Sequence, residues 1–388
     1  MYVARLDRPW LETPFLLEGF LIREEKEAAE IAQHCEYVYI DIERGDDVQV
    51  APSRQAKSPP RPAPAPPAED PNDSTQTEIE LPRARREVEN IAGEITNAFE
   101  SARETGIAGI GSMKVAVRGL VKSVIRSSDA ALLLARLRRK DDYTYNHAIS
   151  TSILSVALGK QVNFDQEELE ELALAASLFD IGKVKVPDGL LAKTDPLSRA
   201  ELKVLRSHVD YSIEILTASG ANSTVIEIAR DHHERCDGSG YPAGKQRNEI
   251  GMFAQIVGLT DAYDAMISRR VYRAAMSHEA AVRELYELRD IHFQAEILEQ
   301  LIQVLGTYPA GSLVELTTGE VGVVTQQNRL RRLRPQVMLV LDEDKQPLDH
   351  FPVINLLQES ANADGRPLAI ATSLSPGAYG IDPAEYFL

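Results

Sequence analysis

A chain of 388 residues is long enough for two or three domains and at least one sizeable core. With 44% apolar and 26% charged residues it reads as globular, and its longest apolar runs, such as Ala130–Ala135, are too short to cross a bilayer. A formal net charge of −17 argues against general affinity for DNA or RNA backbones, while leaving room for a small anionic ligand in a locally basic pocket.

The N-terminus has no apolar stretch of signal-peptide length, and Cys35 and Cys236 stand far apart in sequence, so a cytoplasmic setting is expected. Residues 1–47 read as a small α/β module. Trp10, Pro14, Phe15 and Phe20 supply apolar mass, a charged helical stretch is expected around Glu24–His34, and Tyr37-Val-Tyr-Ile-Asp-Ile alternates as a short strand does. Eight of the chain's 21 prolines then fall between Pro52 and Pro71, without one aromatic residue among them. Such a stretch buries too little apolar surface to offset its ordering entropy, so residues 48–78 are expected to be a semi-extended tether.

From 79 to 306 the pattern is helical. Val88, Ile91, Ala92, Ile95, Ala98, Phe99 and Ala102 recur at helical spacing. With Pro82 near the start and Gly106 past the end, they predict a helix of about six turns. Further helices follow from Val115 to Gln303, broken at Gly182, Pro187, Pro196, Gly220 and the Asp237-Gly-Ser-Gly-Tyr-Pro loop. Beyond Tyr308-Pro309 the period changes to two. Val314/Leu316, Val321/Val323 and Val337/Leu339/Leu341, with turns at Thr317-Thr-Gly and Asp342-Glu-Asp-Lys, predict a small antiparallel β appendage over 307–388. Its Gly- and Pro-rich end, from Ser375, is expected to be loosely held. The fold class is therefore mainly α, a helical bundle flanked by the α/β module and the β appendage.

Chemistry concentrates in the helical region. His147, Asp180, His208, His232 and Asp261 are separated by 33, 28, 24 and 29 residues, each about one helix plus a connection, so successive helices can each deliver one ligand to a common centre. His233 follows His232 directly, about 100° away on a helix. Imidazole with carboxylate suits zinc, iron, manganese or nickel. Taken singly, each histidine is more often a hydrogen-bonded core residue than a ligand, and the His-His pair also suits a solvated helix end. Cys236, without a second thiol nearby, reads as a small spacer, and His34, His278, His292 and His350 as surface or core residues. The basic run Arg329-Leu-Arg-Arg-Leu-Arg334 reads as a solvated loop.

His232-His-Glu-Arg-Cys-Asp-Gly-Ser-Gly-Tyr-Pro242 resembles the HHExxDGxGYP signature of the HD-GYP phosphodiesterases. Phe179-Asp-Ile-Gly-Lys183 with Pro187 is similar to that family's HDxGKxxxP, and Thr260-Asp-Ala-Tyr-Asp through Arg273 to its closing ligand and basic segment. The likeness runs from about Val115 to Tyr308, and Leu6-Asp-Arg-Pro-Trp10 looks like a small domain often found before HD-GYP domains. The resemblance implies an HD-type helical bundle holding two divalent metal ions. One would be held by His147, Asp180 and Asp261, the other by Asp180, His208, His232 and His233. It implies hydrolysis of cyclic di-GMP to the linear dinucleotide or GMP by a metal-activated water. Asp180 and Lys183 would be catalytic, and Lys183, Tyr241, Arg270 and Arg273 would bind substrate.

Phe179 stands where the family's HD histidine belongs, so the His147/Asp180/Asp261 site is expected to be weakened. Tyr143 occupies a place where some members carry a glutamate for a third metal, which argues against a three-metal site. The main expectation is a metal-dependent phosphodiesterase, with a homodimer and protein partners in signalling as further expectations. The alternative is a catalytically inactive HD-GYP receptor or protein-interaction module in cyclic di-GMP signalling.

Overall fold

The computed structural model describes residues 2–6, 20–21, 38–40, 73–136, 143–268, 276–328, 331, 333–361, 365–375 and 377–386. The chain divides into two compact units, Met1–Ala68 and Glu69–Leu388. In the first, β1 (Tyr2–Leu6), β2 (Phe20–Leu21) and β3 (Val38–Ile40) make an antiparallel sheet of order β2-β1-β3. The third strand falls inside the alternating segment at 37–42. The helix expected around Glu24–His34 lies outside the described residues.

The second unit opens with α1 (Asp73–Thr105), a helix of 33 residues that contains Pro82. It begins inside the stretch expected as tether, which corrects both that boundary and the shorter helix. Its first turns are polar from Asp73 to Glu78, so they carry no apolar period to betray them. Near Pro82, buried Glu80 accepts hydrogen bonds from Arg126 (2.8 Å) and Arg83 (3.1 Å), tying the helix to its neighbour. Gly106, at φ 76°, ends it in the left-handed conformation that glycine adopts without steric penalty.

Next come α2 (Ile110–Arg126), α3 (Ser128–Arg136), α4 (Tyr143–Gln161) and α5 (Gln166–Leu178). Asp165 and Glu168 form a capping box at the start of α5, and from Leu172 to Leu178 every residue of that helix is buried. A 3-10 turn (Ile181–Lys185), α6 (Asp188–Leu191), α7 (Arg199–Arg206), α8 (His208–Ala218) and α9 (Ser223–Asp231) follow. Then α10 (Met252–Ile267), α11 (His278–Glu287) and α12 (Ala295–Leu305) complete the bundle around one core.

Small polar side chains let α4 approach its neighbours closely. Ser155 meets Thr260 of α10 at 2.8 Å between hydroxyls, and Ser152 donates to the Ala173 carbonyl of α5 at 3.1 Å. The 3-10 turn packs still more tightly. A Cβ on Gly182 would lie 2.1 Å from the His208 carbonyl oxygen and 2.4 Å from the Ser212 nitrogen.

The β appendage is a five-stranded antiparallel sheet of order β7-β6-β5-β4-β8, made of β4 (Leu313–Leu316), β5 (Val321–Gln326), β6 (Gln336–Leu341), β7 (Val353–Asn355) and β8 (Ile370–Ser373). The first three match the segments with period-two alternation. Its base rests on α3, where Ala310 packs on Leu133 and Arg136 donates to the Ser312 hydroxyl at 3.0 Å. The end of the chain is not loose as expected: Ile381 is buried with Leu374, Ala378 and Tyr386 against the sheet, and the Tyr386 ring meets Phe351 edge-on. Among the described residues no helix is long and apolar enough to cross a membrane.

Gly182→Ala is expected to cost about 1–3 kcal/mol, because the added methyl meets backbone atoms that have no rotamer escape. Denaturant unfolding measures this, and unchanged stability would show that the turn has slack.

Candidate metal centre

Five helices bring the predicted ligands together. The apolar run of α5 ends at Phe179, so Asp180 emerges inside the core. His208 opens α8, and the Asn222-capped α9 ends at Asp231, just before His232 and His233. His147 lies in the second turn of α4, and Asp261 and Asp264 lie on α10. Asp180, His208, His232 and His233 form one group whose ligand atoms all lie within 4.8 Å of one another, and His147, Asp180 and Asp261 form another.

The imidazole tautomers of the first group are set by backbone. His208 Nδ1 contacts the Leu205 carbonyl at 2.8 Å and His232 Nδ1 the Ala229 carbonyl at 2.9 Å. A carbonyl only accepts, so each ring donates from Nδ1 and keeps its Nε2 lone pair for the centre. These Nε2 atoms stand 3.2 and 3.8 Å from Asp180 Oδ1. Even so, all three buried atoms lack a hydrogen-bond partner, because distance without alignment makes no bond. Each buried unsatisfied group costs about 1–3 kcal/mol. One divalent cation among them satisfies all three, so this donor set fits a metal ion.

Electrostatics point the same way. Burial pushes His232 down to about 4, with the Asp180 charge only partly opposing it, and holds His233 well below the ordinary imidazole value. Both rings are therefore neutral at physiological pH, the form that metal ligation requires. Burial works against charge on Asp180 too, but the Lys183 ammonium outweighs it and holds the carboxyl well below its usual range. Lys183 forms an ion pair with Asp180 Oδ2.

The second group is differently disposed. His147 is clamped on both nitrogens, Nε2 to Asp261 Oδ1 at 2.8 Å and Nδ1 to Asp264 Oδ2 at 2.6 Å. Burial opposes a charge on this ring, yet the two carboxylates overcome it and raise His147 to about 9. The fully buried Phe179 ring sits between the groups, with its centroid 4.8 Å from that of His232 and 6.1 Å from that of His147. Asp264 had no assigned role in the sequence, although its place three residues after Asp261 puts it on the same helix face.

The loop after His233 is held from below. Both oxygens of buried Glu234 accept backbone N–H bonds, from Ala243 at 2.7 Å and Lys245 at 2.8 Å, while Lys245 Nζ reaches buried Asp231 at 2.6 Å. Arg235 donates to the His232 and Glu234 carbonyls at 3.1 and 2.7 Å and braces the end of the helix. A Cβ on Gly240 would lie 2.4 Å from the Arg235 nitrogen, so only glycine passes there. Tyr241 consequently stacks on His233, ring centroids 4.6 Å apart and planes inclined by 28°. Arg270 and Arg273 lie outside the described residues.

Family models match along the chain: an HD domain over residues 127–297, a domain of unknown function (DUF3391) over 1–106, and a KOW domain associated with the HD domain over 313–363. Over 341 residues the chain is 30% identical to the cyclic di-GMP phosphodiesterase PA4108 of Pseudomonas aeruginosa, covering 87% of this chain and 81% of that relative. The chain belongs to the HD-GYP family. Other relatives match shorter stretches. A cyclic di-GMP phosphodiesterase of Thermotoga maritima is 34% identical over 169 residues, 42% of this chain and 45% of its own length. The 3'3'-cGAMP-specific phosphodiesterase 2 of Vibrio cholerae is 34% identical over 140 residues, 36% of this chain and 27% of its own length.

If Glu234 anchors the HD-GYP loop, Glu234→Gln removes one charge-assisted acceptor. A loss of about 1–3 kcal/mol is expected, with faster hydrogen exchange at the Ala243 and Lys245 amides. Unaltered exchange at both amides would relieve Glu234 of that role.

Proposed function

We propose that this chain is a metal-dependent phosphodiesterase that opens cyclic di-GMP to the linear dinucleotide and onward to GMP. The observation that carries the reading is the convergence of Asp180 Oδ1 and the Nε2 atoms of His208 and His232, buried and without other partners. The names of the P. aeruginosa and T. maritima relatives support the substrate. Asp180, His208, His232 and His233 would hold one ion, of iron, manganese, nickel or zinc, and His147, Asp180 and Asp261 would hold a second more weakly. When bound, such ions lower the pKa of water to yield a nucleophile and steady the charge on the phosphate oxygens.

The chain's own residues do the rest. Asp180 keeps its negative charge through the pH range because Lys183 faces it, and Lys183 then has an ammonium at hand for a phosphate oxygen of the substrate. Leu205 and Ala229 carbonyls hold His208 and His232 in the ligating tautomer. Asp264 fixes the orientation of the His147 ring. Tyr241, pinned over His233 by the loop, would form a wall of the substrate pocket, and the motif likeness assigns substrate binding to Arg270 and Arg273 as well.

Phe179 favours a second reading, a receptor that binds cyclic di-GMP without turning it over. An apolar ring fills a position where this family's chemistry calls for an imidazole, and His147 is already satisfied by two carboxylates. Two measurements separate the readings. With manganese or iron added, the wild-type chain is expected to hold one ion per chain firmly and to release linear dinucleotide or GMP. Asp180→Ala is expected to lose at least about a hundredfold in rate. Phe179→His is expected to bind a second ion and turn over faster. Nucleotide bound with no product from the wild type, and product from Phe179→His, would establish the receptor reading.

A further inference from the structure

We propose that Arg206 is a substrate-binding residue of this centre, gripping the phosphate of the cyclic dinucleotide that is not cleaved. The inference rests on the phosphodiester reading above and adds a cation that neither the sequence motifs nor the ligand groups assign.

Arg206 is the last residue of α7, two positions before the ligand His208. Its guanidinium carbon lies 4.5 Å from the Tyr241 ring centroid, and Tyr241 in turn stacks on His233 at 4.6 Å. Guanidinium, phenol and imidazole thus lie layer upon layer, and the bottom layer belongs to the metal-binding group. A guanidinium lying over a ring spends its face on the π cloud, leaving its rim of N–H donors free. Those donors match the paired oxygens of a phosphodiester.

Two observations indicate that Arg206 is not there for the fold. It is exposed, and α7 buries none of its residues, so its charge and stem contribute little to the core. Among the described residues no carboxylate lies within 4.0 Å of it, so its charge is not committed to an ion pair, and of the cations of α7 it is the one that lies over Tyr241. On a chain of net charge −17, an arginine stacked on Tyr241 and without a carboxylate partner is a local positive site next to the ligand group. A cyclic dinucleotide carries two phosphodiesters. The ligand groups and Lys183 serve the one being cleaved, and Arg206 adds a cation for the other in addition to Arg270 and Arg273, to which the motif likeness assigns substrate binding.

The test compares wild type, Arg206→Ala and Arg206→Lys on cyclic di-GMP and on bis(4-nitrophenyl) phosphate, a single phosphodiester with no second phosphate and no purine. Arg206→Ala is expected to raise KM for cyclic di-GMP about tenfold, with kcat and the rate on the small diester little changed. If the wild type binds without turnover, Kd is expected to shift by the same factor. Arg206→Lys, which keeps charge but not the fork, is expected to recover part of the loss. Equal losses on both substrates would mean that Arg206 only props Tyr241, overturning the proposal. A loss confined to cyclic di-GMP, with cyclic di-AMP, which has the same two phosphates and no guanine, bound as before, would point to a guanine edge and overturn the phosphate assignment. A wild type that hydrolyses the small diester yet neither binds nor opens cyclic di-GMP would remove the substrate reading itself, which is a separate outcome.

Discussion

A carboxylate carried into an apolar interior is stable only where opposite charge and donors meet it there, and Asp180 is the place where this chain meets that demand. It leaves a fully buried helix end directly into the core. Lys183 from the following turn brings the opposite charge, while His208 from the start of α8 and His232 from the end of α9 bring Nε2 lone pairs that, together with Asp180 Oδ1, suit a divalent cation. The close approach of Gly182 to the α8 backbone keeps two of these elements in register. Much of the bundle's geometry can be understood as the arrangement that lets one buried anion be surrounded.

The residues of the centre were legible before the fold because ligand chemistry restricts residue type and each helix restricts spacing. Residue type and helix-sized spacing singled out His147, Asp180, His208, His232, His233 and Asp261 as candidates, and the likeness to the HD-GYP motifs sorted them into two sets. Residues that act by contact with backbone or with another side chain left no comparable trace. Glu234 holds amide groups nine and eleven positions away, and an acid at that position looks the same whether it binds N–H groups or solvent. The role of Arg206 depends on where the loop folds back, which local sequence does not encode. The fold shows the same division. Strong periodicity marked α1 from Val88 onward and the strands β4 to β6, whereas the polar first turns of α1 and the short strands β7 and β8 had no pattern to read. Composition suggested a loose end after Ser375, and a single buried isoleucine, Ile381, was enough to anchor it.

Phe179 makes the two halves of the centre unlike each other. On the His208 and His232 side, lone pairs face inward with nothing else to bind. On the His147 side the ring is spoken for at both nitrogens by Asp261 and Asp264. The Phe179 ring stands in edge-type contact with both His147 and His232, an apolar group set between two polar ones. The two sides thus differ in where polarity remains unsatisfied.

Glu234 grips its loop through amide hydrogens rather than through side chains, and this bears on how the loop can drift over evolutionary time. Ala243 and Lys245 supply only what every amino acid except proline possesses. The two positions can exchange residues, size and charge with little effect on the seat of Tyr241, subject at 245 to losing the link to Asp231. Proline is the one residue barred from both, whatever else the lineage tolerates there.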